Sequence, residues 1–362
     1  MKRTRGRIVT IESVTELTRR LDSGVVRLTG WRIVGLDLRP FSRQLAACDT
    51  SRTTFAGCTM SADDEQLHAM RGALLLPSVD GTPIDPHRDR LYRPDELFDT
   101  ATWATSLDGR AYAWRQTATD PDAVLARAMH DEGIDQALTE WVAGRQIVGV
   151  MGGHDMRRGE DRFRDAAILG RSLGRHFTVA TGGGPGAMEA ANLGAAFARE
   201  DGSALDEALR ILAAAPGFRP SVDEWIRAAR DARDLLADPV QSLGVPTWHY
   251  GHEPPNLFAT TIAKYFRNAL RESVLLEICN RGIVFLPGAG GTVQEVFQDA
   301  CENYYAADER AVAPMVLVGH EYWTQTLPAW PLLRALAKGR PMEAHVHLVE
   351  SVDEVAEVIG AA

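Results

Sequence analysis

Two glycine-rich turns and one carboxylate carry the chemistry that the sequence offers. Thr181-Gly182-Gly183-Gly184-Pro185-Gly186 follows the apolar run His176–Ala180 and leads into a small-residue stretch with helical spacing. Glycines between a strand and a helix let the backbone approach a phosphate, whose charge then meets free N–H donors and the positive end of the helix. The second turn runs Pro287-Gly288-Ala289-Gly290-Gly291-Thr292-Val293-Gln294-Glu295, directly after the apolar Gly282–Pro287. Gly288, Gly290, Gly291 and Thr292 stand where a phosphate would meet the start of a helix. Glu295 comes three residues after Thr292, so both face the same mouth. That spacing also fits a capping box, in which Glu295 would serve only the helix end. Both readings stay open on spacing alone. Gly152-Gly153, with His154 and Asp155, follows another apolar run and offers a third wall.

These turns need elements to position them. From about Gly133 the chain alternates apolar runs with helical stretches: Gln146–Met151, His176–Ala180, Leu243–Tyr250, Gly282–Pro287, Pro314–Gly319 and His345–Glu350 read as six strands. Phe258–Cys279 reads as one long helix and Ser203–Leu236 as an inserted helical pair. Strands alternating with helices predict an α/β fold, a Rossmann-like doubly wound and mostly parallel sheet covered on both faces. Ligands bind outside the carboxyl ends of such strands. The preceding part, residues 1–131, has short apolar strings broken by turn formers, with partial alternation over Val25–Leu38. It reads as a smaller α+β or β-rich accessory domain without a catalytic constellation, ahead of a nucleotide-binding domain at 132–362. A NAD-type fingerprint would place an acidic residue at the end of the next strand. Glu200 and Asp201 instead end the following helix, which disfavours dinucleotide redox chemistry.

The two turns together resemble a known family. Pro287 to Glu295 is similar to the P-G-G-x-G-T-x-x-E signature of the LOG ("lonely guy") family, and Thr181 to Ala190 resembles its G-G-G-x-x-G-x-M stretch. The resemblance covers roughly Gln146 to the C-terminus. It implies a nucleotide-binding fold and phosphoribohydrolase activity: hydrolysis of a nucleoside 5′-monophosphate to free base and ribose 5-phosphate, with no metal or redox cofactor. A carrier or sensor that binds a nucleotide without hydrolysis is the alternative on the same fold. The family pairs its Glu with an Arg 23 residues upstream. Position 272 is Glu here, with Arg271 beside it and Arg267 a turn earlier; Arg271 is the expected partner of Glu295, with Arg267 as the second candidate on the same helix face. Ala289 departs from the second glycine of the signature. The resemblance also implies a homodimer or larger homo-oligomer, since the Arg helix lies near a subunit interface in that family.

Other features bound these readings. The 362 residues carry a formal net charge of −10, so a broad surface for a nucleic-acid polymer is not expected. No apolar run approaches a membrane span, the start lacks the apolar segment of a signal peptide, and the expected location is the cytoplasm. Cys48, Cys58, Cys279 and Cys301 lack metal-site spacing and read as reduced thiols. Trp248-His249-Tyr250-Gly251-His252-Glu253-Pro254-Pro255 reads as a loop and not a zinc helix; Tyr250 or Trp248 packs either on a base or on the core. A pyridoxal phosphate enzyme needs a Schiff-base lysine, and Lys264 alone stands anywhere near the motifs.

Overall fold

The computed structural model describes residues 9–249 and 253–360. The chain forms two compact units, Met1–Arg88 with Asp120–Met129, and Asp89–Thr119 with His130–Ala362. The sequence reading places the division at Asp131 instead. Asp89–Thr119 goes with the second unit because it is bonded there: Tyr92 and Ile262 exchange backbone hydrogen bonds of 2.8 and 2.9 Å.

In the first unit the strands β1 (Val9–Ile11), β2 (Trp31–Val34), β3 (Thr54–Ala56) and β4 (Leu74–Leu76) lie side by side in chain order, all parallel. Between them run α1 (Val14–Asp22), α2 (Ser42–Ala46) and α3 (Ala62–Met70). Val9 pairs with Trp31, Arg32 with Thr54 and Thr54 with Leu74. The chain therefore advances by one coil about every 20–22 residues, a short solenoid. Ile11, Ile33, Phe55 and Leu75 stack in register along the coils, and α1 adds Leu17 and Leu21 to that core. Gly35 and Gly57 turn equivalent corners at φ 66° and 61°, where a side chain would be strained.

The second unit begins with α4 (Pro94–Leu97) and α5 (Leu107–Thr117); α6 (Pro121–Val142) runs through the division. There follow β5 (Ile147–Met151), α7 (Asp161–Gly174), β6 (Thr178–Thr181), α8 (Ala187–Ala196), α9 (Gly202–Leu212), α10 (Val222–Arg233), β7 (Leu243–Gly244) and β8 (Thr261–Ile262). The rest is α11 (Asn268–Glu277), β9 (Ile283–Phe285), α12 (Gly290–Tyr304), β10 (Met315–Val318), α13 (Ala329–Ala337), β11 (Val346–Val349) and α14 (Val355–Gly360). The sheet order is β11-β10-β9-β5-β6-β7-β8, every neighbour parallel. Chain order reverses between β5 and β9, which is where such sheets open a crevice. All five residues of β5 are buried, as a strand covered on both faces requires.

Helices α7 and α8 pack so closely that they need Gly170 and Gly194. A Cβ on Gly194 would collide with the Ala167 carbonyl, and one on Gly170 with the Ala191 carbonyl. Backbone cannot yield as a flexible side chain does, so Gly194→Ala is expected to destabilise the fold by roughly 1–3 kcal/mol or more, read as a lowered thermal midpoint.

One expected element is corrected. Phe258–Cys279 is not a single helix: β8 occupies Thr261–Ile262, and α11 starts only at Asn268. Thr261, Ala263 and Tyr265 donate their N–H groups to Ser242, Gly244 and Pro246, so this stretch is committed to the sheet edge. Asp131 then captures the N–H groups of Phe266 and Arg267 at 2.9 Å each, just before the helix begins. Among the described residues no helix is long and apolar enough to cross a membrane.

Candidate functional site

A cavity of about 450 Å³ opens at the carboxyl ends of β5, β6 and β9. Its rim at β9 is the start of α12. Thr292 is the third residue of that helix, the cap position belongs to Ala289, and no side chain caps this end among the described residues. The capping-box reading is therefore overturned: Thr292 packs against Gly288, where a Cβ would collide with its Oγ1, and Glu295 turns elsewhere.

Glu295 turns toward Arg271. The Arg271 Nη1 stands 3.4 Å from the Glu295 Oε1, with the side chains only 11% and 12% exposed. The guanidinium is aimed by its Nε, which donates to the Val245 carbonyl at 2.7 Å. Gly182 makes room for it, since a Cβ there would collide with Nη2. Burial raises the Glu295 carboxyl above its ordinary pKa; Arg271 works against that rise and the neighbouring Glu272 adds to it. Glu272 is itself held by Asn268, which donates to its Oε1 at 2.6 Å, and by Gln294 on its Oε2.

The α12 rim differs in kind from the β6 turn. Gly290 and Gly291 have no left-handed φ, and a Cβ on either would meet nothing within 4 Å. The fold itself does not need glycine there, and the backbone at this helix start stands open to the cavity. Gly183 and Gly186 do need it: their φ values are 72° and 73°, and they press on Val245 and on the His154 backbone. Thr181 is buried, its Oγ1 donating to the Asn192 Oδ1 at 2.7 Å and accepting from the Gly183 N–H at 2.9 Å.

No protein-family model and no curated protein matches the chain. Among solved structures it is similar to the molybdenum cofactor binding protein of the phototrophic bacterium Rippkaea orientalis, at 17% identity and a TM-score of 0.36, over 60% of this chain and 98% of that one. It is similar also to the molybdenum cofactor carrier protein MCP of Chlamydomonas reinhardtii, at 20% identity and a TM-score of 0.36, over 60% and 99%. The fold is Rossmann-like. That statement rests on this chain's own parallel sheet, its strand order and its helix layers.

Of the residues expected at the site, Gly152, Gly153, Gly182, Gly184, Gly290 and Gly291 line the cavity, as do Thr292, Arg271 and Glu295. Thr181, Gly183, Gly186 and Gly288 stand behind that lining and shape the turns. Arg267 does not share a helix face with Arg271. It precedes α11 in extended conformation (φ −96°, ψ 115°), exposed and off the cavity wall. Trp248 belongs to the core: it is buried, stacks on Phe266 at 4.5 Å between ring centroids, and donates its indole N–H to Asp108. Tyr250 and His252 lie outside the described residues. Lys264 is buried, paired with Asp108 at 2.5 Å, and absent from the cavity wall. Among the described residues no group of three or more His, Cys, Asp or Glu is arranged to hold a metal ion. The sequence reading overlooked Glu272 and Met188 as cavity residues; Met188 lies inside the quoted G-x-M stretch, and Glu253, also on the wall, belongs to the Trp248–Asn256 loop that the sequence reading took as able to shape the pocket.

Proposed function

We propose that the chain hydrolyses the N-glycosidic bond of a nucleoside 5′-monophosphate, releasing free base and ribose 5-phosphate. The observation that carries this reading is the buried Glu295, opposed by Arg271, on the wall of a cavity whose rim is an open helix start. The N–H groups of Gly290, Gly291 and Thr292 anchor the 5′-phosphate. Glu295 then lies about one helical turn, ~5.4 Å, deeper into the site. That step is comparable to the reach from a 5′-phosphate to the anomeric carbon of the same ribose. As the bond to the base lengthens, positive charge develops on the ribose, and the carboxylate stabilises it and orients a water toward the anomeric carbon. Arg271 keeps the carboxylate ionised and in place. Phosphate binding, remote from the bond that breaks, fixes the geometry of attack.

Incubation with a panel of nucleoside monophosphates, followed by chromatography, tests this. Free base is expected from at least one of them, in EDTA as well as without it, and the matching nucleoside is expected to react far more slowly. Tight binding of monophosphates with no base released would instead identify a carrier or sensor.

A further inference from the structure

Glu272 stands on the cavity wall beside the Arg271–Glu295 pair, and the chemistry proposed above gives it no task. Two rungs join α11 to α12 here: Arg271 reaches Glu295, and the side-chain amide of Gln294 donates to the Glu272 Oε2. From within α11 the Asn268 amide donates to Oε1 at 2.6 Å. Glu272 is only 7% exposed, and among the described residues no cation pairs with it, since Arg271 is engaged by Glu295 and by the Val245 carbonyl.

A buried carboxylate held only by neutral amides is costly, because the charge has lost water without gaining a partner of opposite sign. A glutamine could tie the two helices together without that cost. A carboxylate offers about four lone-pair sites, and the two amides occupy only part of them. The remainder is left for donors inside the cavity that Glu272 lines. A negative wall repels phosphate, whose place is the start of α12, so the donors that suit this wall are hydroxyl groups. Its position is close to the reacting carbon, for Glu272 lies near enough to Glu295 to push that carboxyl up.

We propose that Glu272 accepts a hydrogen bond from the ribose 2′-hydroxyl, and so selects ribonucleotides over 2′-deoxyribonucleotides at this site. The inference rests on the nucleotide reading of the cavity. With the anomeric carbon at Glu295, the 2′-hydroxyl hangs from the next ring carbon, on the neighbouring rung. Acidic side chains hold ribose hydroxyls in dinucleotide-binding sheets by the same chemistry. A hydrogen bond to the hydroxyl beside the reacting carbon strengthens as positive charge builds there, so part of its effect falls on kcat and not only on KM.

AMP and GMP, each beside its 2′-deoxy form, test this on the intact chain and on Glu272→Ala and Glu272→Gln. Base release is followed by chromatography and binding by calorimetry. The 2′-deoxy bond breaks more readily by itself, because an electron-withdrawing hydroxyl is missing next to the developing charge. The decisive quantity is therefore the change, on substitution, in the ratio of kcat/KM between the ribo and deoxy forms. That ratio is expected to fall about 10–100-fold in Glu272→Ala, with the loss on the ribonucleotide. In Glu272→Gln, which keeps the volume between the helices and loses the charge, it is expected to fall about 10-fold. Losing Glu272 also frees Glu295 to ionise, but that acts on both forms alike and cancels in the ratio. Should the alanine variant fail to fold, the glutamine variant alone decides. A ratio unchanged by substitution would overturn the inference and leave Glu272 only to join α11 to α12. Binding without base release sinks the hydrolase, and the same ratio read from dissociation constants then decides the role of Glu272. Binding of neither form sinks both.

Discussion

Glu295→Gln is expected to lower kcat by about 10²–10³ while nucleotide affinity changes little, a loss of roughly 2.7–4 kcal/mol in transition-state stabilisation. The amide keeps the shape of the side chain and removes its charge. The fold should not suffer, because Glu295 makes no helix cap: α12 is capped at Ala289 without any side chain. Removing a buried carboxylate whose pKa burial has already raised relieves a desolvation cost, which further separates stability from activity. In the proposed function phosphate is held by Gly290, Gly291 and Thr292 at the start of the helix, so a binding isotherm for AMP should be nearly superimposable on that of the unmodified chain. Steady-state kinetics and calorimetry on the same preparation check both halves. Near-normal turnover by the amide would move the chemistry away from Glu295.

The parts of this site that were legible in the sequence are those fixed by local spacing. Gly290, Gly291, Thr292 and Glu295 lie within one and a half turns of one helix, so their common mouth follows from helix geometry. What spacing could not reveal was the destination of the Glu295 side chain, because a capping box and a cavity carboxylate share one pattern. Arg271, 24 residues away in sequence, decides it. The misread helix over Phe258–Cys279 has a similar cause. Thr260-Thr261-Ile262 is β-branched and suits a strand, yet two residues of ladder are too short to show a period. Their partners at Ser242 and Gly244 are non-local. The solenoid of the first unit escaped because its coils repeat positions more than residues: Arg32, Thr54 and Leu74 occupy matching sites with no common side chain. Gly35 and Gly57, one coil apart, kept the same residue for the same backbone reason, as did Gly30 and Gly72, two coils apart.

Arg271→Ala is expected to reduce activity at neutral pH about as severely as the loss of Glu295 itself, and to do so through the proton on Glu295. In the intact site burial and Glu272 push that carboxyl up, and the Arg271 guanidinium pulls it down. Deleting the cation leaves only the upward influences, so the carboxyl holds its proton to higher pH. A carboxylate that stabilises positive charge works only when ionised, so kcat/KM rises with pH through this titration. Its acid limb should lie above the ordinary glutamate value of 4.5 in the intact protein and move higher in the variant, with part of the lost rate returning as pH is raised. Taking up a proton spares the fold the roughly 3–5 kcal/mol that an uncompensated buried charge costs, so the thermal midpoint should fall less than the activity. Gly182→Ala offers an independent route to the same end: its Cβ would occupy the place of the Arg271 Nη2 and drive the guanidinium from the pair without removing its charge from the chain. Arg271→Lys restores a cation but not the Nε donor to Val245, and should recover only part of the rate. A pH profile that keeps its acid limb in Arg271→Ala, with KM raised instead, would assign Arg271 to the phosphate and leave Glu295 to hold its charge unaided.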